Sequence, residues 1–225
     1  FYWPSSPFAR YDGGSDDHNG DRHYWKVWHG KKPIEMYNKE RSRFFSEYGF
    51  QSFPEFESVK RYAPCEEDWN IYSEVMMSHQ RGGAHANELI ETYLLNEYRK
   101  PRDFEAFLYM NHVLQGDAIK TAIEAHRRDM PYCMGTLFWQ HNDCWPVASW
   151  ASRDYYGRWK AQHYFTRKAY RDMLVSPIAD ESEILKVQVV SDRLKSCGGK
   201  LEVSVIKLTG EVLNQYNRNV KIDAN

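Results

Sequence analysis

The chain has 225 residues, enough to bury the core of one large domain or of two small ones. Its 30 basic and 31 acidic side chains leave a net charge of −1, so no field gathers nucleic acid or anionic lipid. Aromatic residues form 16% of the chain, with 8 Trp and 16 Tyr. This supply suits sugar recognition, because flat rings stack on pyranose faces, but it also suits a Trp-rich core.

The four cysteines (Cys65, Cys133, Cys144 and Cys197) have neither CxxC spacing nor the density of a disulfide scaffold. A pair between Cys133 and Cys144 is one interpretation, and thiols in the core are the favoured one. No run of residues predicts a membrane span, a signal peptide or an Asn-x-Ser/Thr sequon. The chain starts abruptly with Phe-Tyr-Trp-Pro, as if at the end of a strand, so we expect a fragment of a longer protein.

A polar loop follows at residues 13–20. The loop and its surroundings contain several residues that could be drawn as metal ligands: Asp16, Asp17, His18, Asp21 and His23. Their spacing matches neither a calcium nor a zinc site, so we predict no metal. Residues 21–30 then form a short predicted strand with aromatic residues crowded at its end.

The stretch 43–54 combines an apolar strand, a carboxylate and a turn. The strand ends at Glu47, and Gly49 allows the backbone to turn without a Cβ penalty. Ser52 and Glu55, three residues apart, have the spacing of a capping box for a helix beginning near Pro54. A carboxylate between strand and helix is typical of a functional residue in an α/β barrel, although a solvated strand end or an ion pair gives the same pattern.

Helical patterns follow at residues 54–63, 71–80 and 85–99, and Asp103 can cap a long helix that ends near Arg128. Two Asn-Glu pairs, at 87–88 and 96–97, lie inside these patterns and are interpreted as solvated. A second apolar strand is predicted at 134–139, followed by polar residues at 140–143 and a helix from 154 to 173. Alternation of strands and helices predicts a parallel sheet or barrel.

Beyond residue 175 the pattern changes. Residues 175–183 have the composition of a linker, and alternating strands are predicted at 185–190, 200–207 and 212–222, with turns at 197–199 and 209–210. Short alternating strands of this kind indicate the start of a β-sandwich. We therefore predict an α/β domain over residues 1–175, and a linker with the start of a β-sandwich over residues 176–225.

Several ordered motifs resemble β-mannosidases of glycoside hydrolase family two, and the likeness covers nearly the whole chain. The motifs are Trp-Pro-Ser-Ser-Pro at 3–7, Gly-Asp-Arg-His-Tyr-Trp at 20–25, Arg-Phe-Phe-Ser-Glu-Tyr-Gly at 43–49, Met-Gly-Thr-Leu-Phe-Trp-Gln-His-Asn-Asp-Cys-Trp-Pro at 134–146 and Asp-Tyr-Tyr-Gly-Arg-Trp-Lys-Ala at 154–161.

This resemblance implies the second half of a (β/α)8 TIM barrel, followed by the first strands of an immunoglobulin-like β-sandwich. It also implies a retaining exo-glycosidase that releases terminal β-mannose from oligosaccharides or glycans, with Glu47 as nucleophile at the end of the seventh strand. The nucleophile must be ionised, which Arg43 could favour. The family's acid/base glutamate corresponds to a segment before residue 1, so we expect the isolated fragment to be inactive.

The resemblance suggests further sugar contacts, each with a structural alternative. Trp139 would form an aromatic floor beneath the sugar, or pack in the core. Trp25 and Trp28 would wall the pocket, or belong to the core. His23 and His29 would hydrogen-bond a mannose hydroxyl or Glu47, or lie in an exposed loop.

Other activities stay open at this point. They include another family-two exo-glycosidase (a β-galactosidase, β-glucuronidase or glucosaminidase) and a non-catalytic carbohydrate-binding protein on the same fold. No cofactor is implied, and the expected partners are an oligosaccharide with terminal β-mannose and the rest of the same polypeptide, with no nucleic acid and no membrane. The lack of sequons favours a bacterial source, in which such enzymes are periplasmic or cytoplasmic.

Overall fold

The structure, a computed structural model, describes residues 2, 5–8, 18–179 and 184–225. The chain divides into two compact units, Phe1–Ala169 and Tyr170–Asn225. The strand end predicted at residues 1–4 and most of the polar loop at 13–20 lie outside the described residues. The candidate site lies in the first unit.

Three parallel backbone segments form the sheet of the first unit, with β2 in the middle. Strand β1 (Arg22–His23) pairs in parallel with β2 (Phe45–Glu47). On the other side of β2, residues 134–139 run alongside it through backbone hydrogen bonds of 2.7–3.0 Å. The strand predicted at 134–139 is therefore present as a hydrogen-bonded segment, joined to β2 through helices. Such a connection between parallel segments defines an α/β fold.

Five α-helices occur in the described part of this unit: α1 (Phe56–Val59), α2 (Glu74–Ser78), α3 (Ala84–Glu97), α4 (Phe104–Arg128) and α5 (Ala161–Ala169). Two short 3-10 helices lie at Ile34–Asn38 and Glu66–Asp68. The predicted cap of the long helix is confirmed, because Asp103 accepts a hydrogen bond from the backbone N–H of Ala106 at 2.7 Å.

The capping box predicted for α1 is wrong. Ser52 is fully buried and donates its hydroxyl proton to Oε1 of Gln115 on α4 at 2.7 Å, so it is not free to cap a helix. The N-cap position belongs to Glu55, whose side chain makes no capping bond. Without that cap α1 has only four residues, fewer than the predicted 54–63.

Two further predictions, the length of α5 and the exposure of Asn87, are also corrected by side-chain hydrogen bonds. Helix α5 is shorter than the predicted 154–173, because Asp154 accepts from the backbone N–H of Arg158 at 2.8 Å and closes a turn with Gly157 at φ +85°. Asn87, interpreted as solvated, is fully buried, and its side-chain oxygen accepts a hydrogen bond from Nε2 of Gln80 at 2.6 Å. The second Asn-Glu pair, at 96–97, is exposed as expected.

The core of the first unit lies between the sheet and helices α3 and α4. Phe45 of β2 is 1% exposed and stacks on the ring of His126 in α4, with ring centroids 3.7 Å apart. Large aromatic side chains dominate this core, so much of the aromatic composition serves packing. The fully buried set is headed by Trp28, Tyr24, Tyr37, Tyr48, Phe45, Phe50 and Phe53. All four cysteines are free thiols, and only Cys133 is buried.

The second unit contains two antiparallel strand pairs. Strand β3 (Met173–Ala179) pairs with β4 (Leu185–Ser191), and β5 (Cys197–Ile206) pairs with β6 (Val212–Ile222). The predicted strands and the turn at Gly210 are confirmed. The predicted turn at 197–199 is wrong, because these residues pair with β6. Residues 175–179, predicted as linker, pair with β4 instead, and 180–183 are outside the described residues.

Candidate active site

Glu47 is the last residue of β2, and 21% of its side chain is exposed. Its backbone is fixed, because its carbonyl accepts a hydrogen bond from the N–H of Tyr24 at 2.7 Å. The carboxylate is therefore held at the carboxyl end of a central parallel strand, where polar side chains of neighbouring strand ends meet.

Two side chains, one at the end of β1 and one just after it, hold the Glu47 carboxylate. Nε1 of Trp25 donates a hydrogen bond to Oε1 at 3.1 Å, and Nδ1 of His23 lies 3.0 Å from Oε2. Both oxygens of the carboxylate therefore have a partner. The predicted partner Arg43 is elsewhere: its guanidinium lies over the ring of Tyr132, 5.1 Å from the centroid.

A second carboxylate lies behind His23 and is linked to it by a hydroxyl. Oγ of Ser6 lies 3.1 Å from Nε2 of His23 and donates to Oδ2 of Asp21 at 2.5 Å. Asp21 is 7% exposed and also accepts hydrogen bonds from Oγ of Ser46 and the backbone N–H of Phe8. Burial raises the pKa of Asp21, but these hydrogen bonds outweigh it and hold the pKa below its ordinary value.

Sequence reasoning missed Ser6 and Ser46 and considered Asp21 only as a metal ligand. The available signal was local: a serine directly precedes Glu47, and an aspartate lies two residues before His23. The pairing of β1 with β2 brings both positions to the same place. Without the register of that pairing, nothing in the sequence connects them.

Three tryptophans lie near the backbone that follows Glu47. Trp139 is 40% exposed. The rings of Trp25 and Trp150 meet edge to face, with their centroids 6.0 Å apart. Gly49 lies between these three tryptophans: a Cβ there would approach the Trp139 carbonyl oxygen to 2.5 Å and carbon atoms of Trp25 and Trp150 to 2.9 Å. Only glycine allows this close arrangement.

The two other predicted sugar contacts, Trp28 and His29, differ in their burial. Trp28 is 1% exposed and packs edge to face on Phe50 at 4.9 Å, so it belongs to the core and the interpretation as a pocket wall is wrong. His29 is exposed and lies against Trp25, with ring centroids 5.0 Å apart. Partial burial, and then the nearby His85, lower the pKa of His29, which favours its neutral form.

The loop after residue 139 is fixed by buried polar groups. Asp143 is 5% exposed and accepts a hydrogen bond from Oγ of Ser149 at 2.7 Å. Nζ of Lys160 is buried and donates to the carbonyls of Ser52 at 2.8 Å and Ser149 at 3.2 Å. Burial lowers the pKa of Lys160 to about 8. These bonds give the rim residue Trp139 a rigid base.

No cluster of three or more His, Cys, Asp or Glu side chains suitable for a metal ion occurs within the described ranges 2, 5–8, 18–179 and 184–225. In the same part of the chain, no helix has the length and apolar character needed to cross a bilayer. The site is a carboxylate at a strand end, held by the indole of Trp25 and the imidazole of His23. Such a site can attack or stabilise an electrophilic carbon of a sugar.

The comparisons with known proteins agree with this chemistry. Over its whole length the chain is 32% identical to a β-mannosidase B of Emericella nidulans and 30% identical to one of Aspergillus niger. It spans 29% of the length of each of these relatives. The family description "Mannosidase Ig/CBM-like domain" matches residues 183–225, which fits a β-sandwich.

Solved structures similar to this chain also include a β-mannosidase. A β-D-mannosidase of Dictyoglomus thermophilum superposes on the whole chain with a TM-score of 0.89 at 33% identity, and the chain covers 27% of it. An exo-chitosanase of Amycolatopsis orientalis matches 94% of the chain with a TM-score of 0.71, and the chain covers 26% of it. At 16% identity, this second match supports the fold alone.

A carboxylate at the carboxyl end of a parallel strand occupies the position of functional residues in α/β barrel enzymes, and glycoside hydrolases use carboxylates for their chemistry. Over its whole length the chain is similar to segments of proteins named β-mannosidase, which is the likeness that its motifs indicated.

Proposed function

We propose that this chain is part of a retaining exo-β-mannosidase that hydrolyses terminal β-D-mannose residues of oligosaccharides or glycans. The observation that carries the proposal is Glu47, a partly exposed carboxylate at a strand end with both oxygens held, by Trp25 and His23. The similarity to proteins named β-mannosidase, over the whole chain, supports the choice of sugar.

In the proposed reaction Glu47 attacks the anomeric carbon while an acid protonates the leaving oxygen. The result is a covalent glycosyl–Glu47 ester, which water then hydrolyses with return of the electron pair to the carboxylate. The second carboxyl group would lie roughly 5–5.5 Å from Glu47. The family's acid/base glutamate follows an asparagine at a strand end, whereas both Asn-Glu pairs of this chain, at 87–88 and 96–97, lie in α3. We therefore assign that role to a part of the protein outside this chain.

The proposed architecture follows from the same likeness. Residues 1–175 would form the second half of a (β/α)8 barrel, and residues 176–225 the start of an immunoglobulin-like sandwich. Parallel segments joined by helices, with Glu47 at the carboxyl end of the middle one, support the barrel half. Antiparallel pairs β3–β4 and β5–β6 support the sandwich.

Aromatic side chains near Glu47 support a site that binds a sugar. Trp139 would stack on the apolar face of mannose, Trp25 would hold Glu47 and wall the pocket, and His29 would face the sugar at the rim. Stacking and hydrogen bonding by a few side chains suffice to orient one pyranose ring.

Mass spectrometry of the full-length protein after incubation with 2-deoxy-2-fluoro-β-mannosyl fluoride tests the proposal. We expect one adduct, on the peptide that contains Glu47. An adduct only with the corresponding glucosyl or galactosyl reagent would overturn the choice of mannose. A folded protein that forms no adduct with any of them would overturn the retaining mechanism and favour a binding role.

A further inference from the structure

The side chain of His23 lies between two carboxylates, one in direct contact and one reached through a serine. Its Nδ1 lies 3.0 Å from Oε2 of Glu47, and its Nε2 lies 3.1 Å from Oγ of Ser6, which donates to Asp21. The proposed reaction gives a role to Glu47 but none to Ser6, Asp21 or Ser46. These side chains form one continuous hydrogen-bond chain, which we call the His23 relay: Glu47, His23, Ser6, Asp21 and Ser46.

The directions of the hydrogen bonds in the His23 relay are fixed from its buried end. Asp21 is an ionised acceptor for the hydroxyls of Ser6 and Ser46, so the single hydroxyl proton of Ser6 points toward Asp21. The oxygen of Ser6 can then only accept a hydrogen bond from His23. Nε2 of His23 therefore carries a proton, whatever happens at the other ring nitrogen.

The contact with Glu47, at the other end of the relay, determines the charge of the His23 ring. An ionised carboxylate can only accept hydrogen bonds, and the nucleophile must be ionised to attack. For the 3.0 Å contact with Oε2 of Glu47 to be a hydrogen bond, Nδ1 of His23 must also carry a proton. With both nitrogens protonated, the ring is an imidazolium cation.

We infer that His23 is a positioning residue held as a cation by Ser6, Asp21 and Ser46, and that it stabilises Glu47 as the departing carboxylate in the second half of the reaction. This inference rests on the proposed function. In the glycosyl–enzyme ester Glu47 carries no charge. When water attacks, the bond from the anomeric carbon to the Glu47 oxygen breaks, and its electron pair returns to the carboxylate. The water proton goes to the acid/base group outside this chain, and the protons of His23 stay on the ring.

The cation therefore affects the two steps differently. It stabilises the ionised Glu47 before attack, so it does not accelerate formation of the ester. It stabilises the negative charge that develops when the ester breaks, so it accelerates hydrolysis. A residue that only supports the fold would affect both steps in the same direction.

The test compares the full-length wild type with His23→Asn, which keeps a neutral donor and removes the charge. Each protein is treated with 2-deoxy-2-fluoro-β-mannosyl fluoride, and the rates of adduct formation and of reactivation in buffer are measured. We expect reactivation of His23→Asn to be slower by roughly tenfold or more, the effect of one charge-assisted hydrogen bond, with formation little changed. In steady state kcat and KM should fall together.

Two variants complete the experiment. Ser6→Ala removes the link to Asp21 without touching the nucleophile, so reactivation should slow in the same direction by roughly threefold; this variant also tests the inference if His23→Asn does not fold. His18→Asn is the matched control, an exposed histidine that contacts the hydroxyl of Tyr132 at 3.0 Å, and it should behave as wild type.

The outcomes separate the inference from the proposed function. A wild type that forms no adduct on Glu47 would overturn the proposed function, and with it the inference. A wild type labelled at Glu47, with unchanged reactivation in both His23→Asn and Ser6→Ala, would overturn the inference alone. Equal slowing of formation and reactivation would also overturn it, because it would indicate a merely structural role.

Discussion

The backbone N–H of Trp139 donates a hydrogen bond to the carbonyl of Tyr48 at 2.7 Å. This bond ties Trp139, at the end of the 134–139 segment, to Tyr48, the residue after Glu47. The two strand ends are therefore held at a fixed distance. The backbone of Trp139 is thus fixed, while the residue remains 40% exposed. A side chain on a rigid base with a free face is suited to bind a ligand at low entropic cost.

We expect Trp139→Ala to weaken sugar binding more than folding. Loss of a stacking surface should raise KM or an inhibitor Kd roughly tenfold, equal to about 1.4 kcal/mol. The substitution leaves the Tyr48 hydrogen bond intact, because that bond uses the backbone. Steady-state kinetics and thermal unfolding of the full-length protein check this. A lower Tm with unchanged affinity would identify Trp139 as a packing residue.

Trp28→Ala should give the opposite result. Trp28 is 1% exposed and packs against the rings of Phe50 and Tyr93, so its truncation leaves a cavity in the core. Substitutions of this kind cost about 3–5 kcal/mol. Urea unfolding measures the loss, with Trp139→Ala as the matched tryptophan. Wild-type stability combined with a raised KM would restore Trp28 as a pocket wall.

The elements that the sequence predicts well are those set by local chemistry. Asp103 caps α4 because the aspartate and the apolar spacing that follows it lie within one turn of each other. The strands β4 and β6, and β5 from residue 200 onward, follow from alternation alone. The missed features depend on distant partners: Ser52 is taken from its capping position by Gln115, on another helix.

The candidate site divides in the same way. A motif likeness is enough to select Glu47, Trp25 and His23. Ser6 and Ser46 are ordinary serines in sequence, and they acquire a role only because β1 pairs with β2 in one register. Burial of Trp28 is equally invisible, since it depends on rings from Phe50 and α3.

Glu47→Gln tests the nucleophile directly in the full-length protein. Glutamine has the same shape and its oxygen can still accept from Trp25, so we expect wild-type Tm. Turnover should fall by roughly a thousandfold or more, because an amide cannot form the glycosyl ester. The matched control is Glu55→Gln, at the exposed ion pair with Arg158, which should keep wild-type kcat. A turnover of Glu47→Gln comparable to that of the wild type would overturn the assignment of Glu47 as the nucleophile.

The buried His112 predicts a loss of stability in acid. Its Nε2 lies 2.8 Å from the carbonyl oxygen of Phe53, and burial, reinforced by the charge of Lys160, lowers its pKa to about 4. The unfolded chain takes up the proton near its ordinary pKa of roughly 6.5, whereas the folded chain does so only near 4. Between these values the unfolded state binds more protons, so the stability present above about pH 6.5 is lost as the pH falls toward 4.

We therefore expect His112→Gln to reduce the acid sensitivity of the protein. Glutamine can keep the donor to Phe53 and cannot be protonated in this range, so this residue's contribution, about 3 kcal/mol at most, should disappear. The difference in Tm between about pH 7 and pH 4.5 should be smaller in His112→Gln than in wild type. It should be unchanged in the control His18→Gln, at an exposed histidine. An equal Tm difference in all three proteins would show that His112 is not neutral in the folded state.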